Sequence, residues 1–214
     1  MKRVEGGDIV SRILACTGCG EFLLIEYEPT FNVEDFSWGL LMPALLKEGP
    51  TVVADFFGVG AITFRNYTRR ASGEEYSRII DLTKGIKVIK VGPGSASYGE
   101  LIEELAPAYE AQTFLRNYHS LIGRVSRLPV KPRYLVTFGL GHYVHFGGDA
   151  AILAILTAVS TLPVEDLLSV HLINRDVIRR DHLAILEGLA SAVFELSSEG
   201  VKIRKGGVSG DKRG

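Results

Sequence analysis

Residues 28–37 read Glu-Pro-Thr-Phe-Asn-Val-Glu-Asp-Phe-Ser. Glu28, Glu34 and Asp35 gather carboxylates there, with the Asn32 carboxamide between them. Carboxylates accept N–H donors and repel a polyphosphate at close range. Pro29 brings no N–H, and no lysine occurs from residue 28 until Lys47. Asp55 follows the apolar run Val52-Val53-Ala54 and is a lone acid at its end. His142 and His145 lie three apart among glycines in residues 139–149. Two histidines suit ligand contact, and suit a metal only with further ligands. Gly92-Pro93-Gly94 ends another apolar run, where backbone N–H groups can cradle an anion and where a plain turn is the simpler reading.

Other groups carry weaker chemistry. Cys16-Thr17-Gly18-Cys19 is a C-x-x-C that follows a helical pattern and precedes a strand, the reverse of a thioredoxin-type site. Structural turn cysteines, a disulfide, and metal or redox chemistry are its readings, in that order. Arg65, Arg69 and Arg70 share helical spacing, which fits phosphate contact or a solvated helix face. Arg175, Arg179 and Arg180 alternate with Asp176 and Asp181, which points to local pairing.

Hydrophobic pattern sets the elements that hold these residues. Apolar runs at 22–27, 52–57, 86–91, 134–138 and 167–173 read as strands buried on both faces. Amphipathic spacing predicts helices over 9–15, 38–46, 62–71, 98–105 and onward, 108–127, 150–162 and 181–189. Pro43 should kink the second of these or shift its start. Asp149 is placed to cap the helix at 150. Residues 193–196 and 201–204 read as a hairpin around Ser198-Glu199-Gly200. Strands alternating with helices imply an α/β fold. Its sheet is mainly parallel, with helices on both faces and a C-terminal antiparallel hairpin. The expected organisation is one domain over 1–204, followed by a flexible basic tail over 205–214.

The layout strand–loop–helix–strand over 22–56 resembles the opening unit of a P-loop NTPase. The whole order resembles the RecA-like core, and within it the KaiC-like branch. Gly20-Glu21-Phe22-Leu23-Leu24-Ile25 is similar to that group's lead into its first core strand. Leu45-Leu46-Lys47-Glu48-Gly49 is similar to the close of its first helix. Leu24-Ile25-Glu26-Tyr27 followed by Val52-Val53-Ala54-Asp55 is similar to a family of uncharacterised proteins from hyperthermophilic archaea. A phosphate loop of the form G-x-x-x-x-G-K-S/T uses glycine N–H groups and a lysine to hold phosphates. The loop at 28–37 has neither residue type. The strand at 135–138 ends in Phe138-Gly139, without the carboxylate that would hold magnesium. Asp55 stands where the resemblance implies a catalytic glutamate.

A chain of 214 residues with 46% hydrophobic and 23% charged residues is ordinary for one globular α/β domain. A net charge of −1 gives no field toward nucleic acid or anionic lipid. The longest apolar run, 150–162, falls short of the roughly 20 residues of a membrane span. No signal-type stretch opens the chain, and the expectation is a cytoplasmic protein with no membrane role. No cofactor, no metal and no catalytic residue is expected. The leading expectation is a RecA/KaiC-like protein that works through a protein partner or as a homo-oligomer, without binding or hydrolysing ATP. A second reading is a small-molecule-binding protein or enzyme, with a cleft at the strand C-terminal ends lined by Glu28, Asn32, Asp55, Gly92, Gly94, His142 and His145. A third, a nucleic-acid accessory factor resting on residues 65–70 and the tail, is the weakest on charge.

Overall fold

Five apolar runs become the strands β1 (Phe22–Tyr27), β2 (Thr51–Phe56), β3 (Ile86–Val91), β5 (Tyr134–Phe138) and β6 (Leu168–Asn174). They are joined by β4 (Glu100–Leu105), β7 (Ala192–Ser197) and β8 (Gly200–Lys205). This computed structural model describes residues 10, 11, 14, 20–161 and 167–206. Cys16, Cys19 and the tail residues 207–214 lie outside the described residues. The sheet order is β4-β3-β2-β5-β6-β1-β7-β8. All pairings are parallel except β7 with β8. The C-terminal hairpin is thus as expected from the sequence.

Helices cover both faces. On one face a π-helical stretch, Asp35–Leu41, runs into α1 (Met42–Glu48), beside α2 (Val59–Arg70) and α3 (Gly73–Thr83). On the other lie α4 (Ala111–Val125), α5 (Leu140–Thr161) and α6 (Arg180–Leu189). The π register ends with the Met42 N–H bonded to the Ser37 carbonyl, just before Pro43. Proline has no N–H to continue either ladder, so the helix changes its winding there. Alternate strand residues feed two cores. Leu23, Ile25, Val53, Val88, Val136 and Phe138 face α1–α3. Leu24, Val52, Ile89, Leu135 and Val193 face α4–α6. Trp38 is fully buried in the first core, its ring among Phe64, Tyr98 and Phe138, and its Nε1–H donates to Thr63 Oγ1 at 3.0 Å.

Three expectations need correction. Residues 98–105 form no helix; they supply Tyr98 and the edge strand β4. Lys87 pairs with Glu100, and Lys90 with Glu104 at 2.6 Å, so two of the three β4 acids meet a lysine across the ladder, while Glu103 pairs with Arg124. The eight residues between β3 and β4 reach about 26 Å when extended, enough to return along a six-residue strand but not to include a helix. Gly99 makes the return turn at φ +70, with Ile86 O only 2.8 Å from where a Cβ would sit. Gly92-Pro93-Gly94 therefore lies between two strands, not between a strand and a helix.

Residues 140–147 are helical, not a loop. They form the first part of α5, which breaks at Gly148 (φ 55, ψ −138) and resumes. Helix α3 carries no expectation from the sequence reading. Its signal is a capping box, with Ser72 Oγ accepting from the Glu75 N–H and the Glu75 carboxylate accepting from the Ser72 N–H. By length and composition α5, with 22 residues, could cross a membrane. Its Tyr143 and Ala151 are wholly buried in the second core.

Candidate functional site

The acids of the 28–37 loop are held by the protein's own cations and amides. Glu28 forms an ion pair with Arg175, which also donates to Glu195 at 2.7 Å. Asn32 Oδ1 accepts from the Asp35 N–H at 3.1 Å, while its amide donates to the Asp35 carboxylate at 2.6 Å. Arg70, from the last turn of α2, reaches both, at 3.2 Å to Asn32 and 3.0 Å to Asp35. Asn66 donates to Glu34 at 3.3 Å. A loop of this composition offers an approaching phosphate neutralised acids rather than aligned N–H groups.

The pairing continues into the sheet. Arg204 on β8 donates to Glu26 at 3.3 Å and Glu187 at 2.9 Å, and lies 3.8 Å from Glu195. Glu28, Arg175, Glu195, Arg204 and Glu26 thus alternate acid and base across β1 and its neighbouring strands. Glu26 is fully buried, and its second oxygen has no hydrogen-bond partner among the described residues. Burial first, then the nearby Glu187, raises its pKa to about 7.

Asp55 is sealed. Its side chain accepts from the Gly60 N–H at 2.8 Å, the Ala61 N–H at 3.0 Å and the Tyr98 hydroxyl at 3.2 Å. The carboxylate thereby satisfies two of the free N–H groups at the start of α2. Burial raises its pKa, opposed by these three bonds and by the Lys90 charge. All three bonds come from within the protein, two of them from the start of α2, so Asp55 acts as a helix cap.

Gly92 and Gly94 meet the turn after β2. A Cβ at 92 would stand 2.9 Å from the Phe57 ring, and one at 94 would stand 3.3 Å from Gly58 Cα. Phe57 meets Phe146 edge-on at 5.3 Å, and Phe146 meets His145 at the same distance. His142 is half-buried on the same first part of α5; burial, then His145, lowers its pKa. Gly92, Gly94 and His145 therefore gather around Phe57 and Phe146. Glu28 and Asn32 belong to the arginine networks, and Asp55 to the core. Among the described residues no cluster of His, Cys, Asp and Glu could hold a metal.

Residues 13–207 match the family model described as "Pyrococcus protein of unknown function, DUF257". The chain belongs to the DUF257 family. The solved structure of PH0250 from Pyrococcus horikoshii OT3 is similar, with a TM-score of 0.74 and 20% identity over 92% of this chain and 91% of that one. The KaiC-like protein PH0186 from the same organism gives a TM-score of 0.55 at 15% identity, over 96% of this chain and 89% of that one. The flagellar accessory protein FlaH from Methanocaldococcus jannaschii gives 0.55 at 11%, over 95% and 86%. No curated protein matches the sequence. At these identities the likeness shows the fold, and the DUF257 chain has the RecA/KaiC-like α/β architecture.

Sequence reasoning on the DUF257 chain missed the partners rather than the acids. Arg175 was expected to pair with neighbouring aspartates; its hydrogen bonds go to Glu28 and Glu195, far away in sequence. Tyr98 was placed at the start of a helix and serves instead as the third donor to Asp55. Neither link has a spacing signal, because both cross the sheet.

Proposed function

We propose that this DUF257 protein is a RecA/KaiC-like protein that neither binds nor hydrolyses ATP and works by binding another protein chain or a second copy of itself. One observation carries the reading: the loop at the phosphate position is acidic, and its acids are paired internally with Arg175, Arg70 and Asn66. A triphosphate would have to break those pairs and then face the carboxylates it released. The strand β5 also ends without a magnesium ligand, and Asp55 is committed to capping α2. Isothermal titration with ATP–Mg²⁺ should give no heat; micromolar binding overturns the proposal.

The binding role is supported by the outer side of α5. From Ala150 to Thr161 the helix has no Asp, Glu, Lys or Arg, and Leu153 is 58% exposed. Exposed apolar residues on an uncharged helix face fit a protein contact. Light scattering over a concentration series should show association that Leu153→Lys abolishes; a monomer that also captures no protein partner overturns this part. A soluble, cytoplasmic location fits the same reading. The nucleic-acid reading loses support because Arg70, one of its three helix arginines, is engaged by Asn32 and Asp35.

A further inference from the structure

The second core holds a cavity of about 240 Å³ between the sheet and the helices α4 and α5. Its walls are largely apolar and aromatic, among them Phe56, Tyr118, Leu121, Leu135 and Ile155. A void this size goes beyond ordinary packing, where gaps larger than a water molecule are few. Scaled from the ~150 Å³ that accommodates benzene, it fits about ten non-hydrogen atoms. Val159 and Asn117 also line it and are not buried, so it reaches the surface beside α5.

His171 on β6 lines this cavity. Its ring is stacked on Phe22 at a centroid distance of 4.0 Å. Neither Nδ1 nor Nε2 has a hydrogen-bond partner among the described residues, although both are buried. An unpartnered buried polar group destabilises a fold, so such groups call for an explanation. Thr137 and Ser169, flanking strand positions on the same wall, add hydroxyls. Burial holds the His171 pKa down to about 3, so the ring is neutral, with one N–H donor and one lone pair. Among the described lining residues there is no lysine or arginine, and Glu21 is the one carboxylate.

We propose that this cavity is a binding site for an uncharged, mainly hydrocarbon or aromatic small molecule of about ten non-hydrogen atoms bearing one hydroxyl or carbonyl group, which His171 recognises by hydrogen bonding. An anion is rejected because the walls offer no cation and desolvating its charge is costly. The site lies away from the 28–37 loop, and the proposal is independent of the protein-binding role.

The probe is 2-naphthol, with naphthalene and 2-naphthoate as controls, titrated into the full chain and followed by methyl NMR and calorimetry. Naphthol should give intermolecular NOEs to Leu121, Leu135 and Ile155 and bind more tightly than naphthoate. His171→Leu should weaken naphthol about tenfold, leave naphthalene unchanged and raise the melting temperature, because an unpaired polar group is removed. Ala158→Phe, which fills the cavity, should abolish binding of both. If that variant fails to fold, the NOEs in the unmodified chain decide. Absence of these NOEs, equal binding of naphthoate, unchanged naphthol affinity in His171→Leu, or a lowered melting temperature in that variant each overturns the proposal. Absence of NOEs together with water contacts to the imidazole would assign the cavity to ordered water.

Discussion

The Tyr98 hydroxyl donates to Asp55 Oδ2 at 3.2 Å across the first core, tying the segment before β4 to the end of β2. Gly60 makes this contact feasible, since a Cβ there would collide with the Tyr98 hydroxyl. The acid nearest to a catalytic position is thereby turned into a joint between a strand, a helix start and the sheet edge.

That joint should show up as stability, not activity. Tyr98→Phe removes one bond to a carboxylate and should cost about 1.5–3 kcal/mol in urea unfolding. Asp55→Asn turns an amide donor toward N–H groups that need acceptors, and should cost at least as much. Neither change should alter nucleotide binding, measured by calorimetry, because none is expected in the parent.

Glu26 sets a pH dependence. Its pKa is raised from 4.5 to about 7 in the folded protein, chiefly by burial. The folded state therefore holds a proton that the unfolded state has released, and stability falls as pH rises through that window. The contribution is fully present below pH 4.5 and lost above about 7. Glu26→Gln should flatten this part of the curve, raising the urea midpoint at pH 8 and leaving it nearly unchanged at pH 4.5.

Two glycines should respond oppositely to alanine. Gly99→Ala forces a Cβ to 2.8 Å from both the Ile86 carbonyl oxygen and Val88 Cγ2, at φ +70. It should cost more than about 1 kcal/mol and loosen β4, seen as faster amide exchange over Glu100–Leu105. Gly123→Ala lies inside α4 with nothing within 4 Å of the new methyl. It should stabilise the protein by about 0.5–1 kcal/mol. Thermal unfolding of both variants provides the comparison.

The parallel strands were legible because burial on both faces leaves apolar runs such as Leu23-Leu24-Ile25 and Val52-Val53-Ala54. The segment 98–105 was not, since Leu101, Ile102 and Leu105 fit a helical face as well as a half-exposed edge strand. What decides it is the lysine ladder of β3, a partner sequence pattern does not supply. The glycines of residues 139–149 read as a loop, yet Gly147 serves helix α5 by leaving room for the Tyr109 ring. The candidate acids were legible by type and position, but their state was not. Arg70, Arg175 and Tyr98 reach them only through the folded chain, and His171 is an unmarked polar residue in a buried strand.

Removing the loop acids tests whether they are what excludes phosphate. The triple variant Glu28→Gln, Glu34→Gln, Asp35→Asn deletes three negative charges and releases Arg70 from its carboxylates, while Arg175 keeps Glu195. Both guanidinium groups stay in place beside the loop, and guanidinium binds phosphate oxygens well. Inorganic pyrophosphate should then bind measurably at low salt, with affinity falling steeply as salt rises, as expected for exposed charges. The parent chain should show no such heat in the same titration. Binding by the parent would mean that neither the acids nor the missing glycine N–H groups and lysine exclude phosphate. No binding by the variant, with its circular dichroism unchanged, would mean that the missing glycine N–H groups and lysine, rather than the acids, decide what this loop can hold.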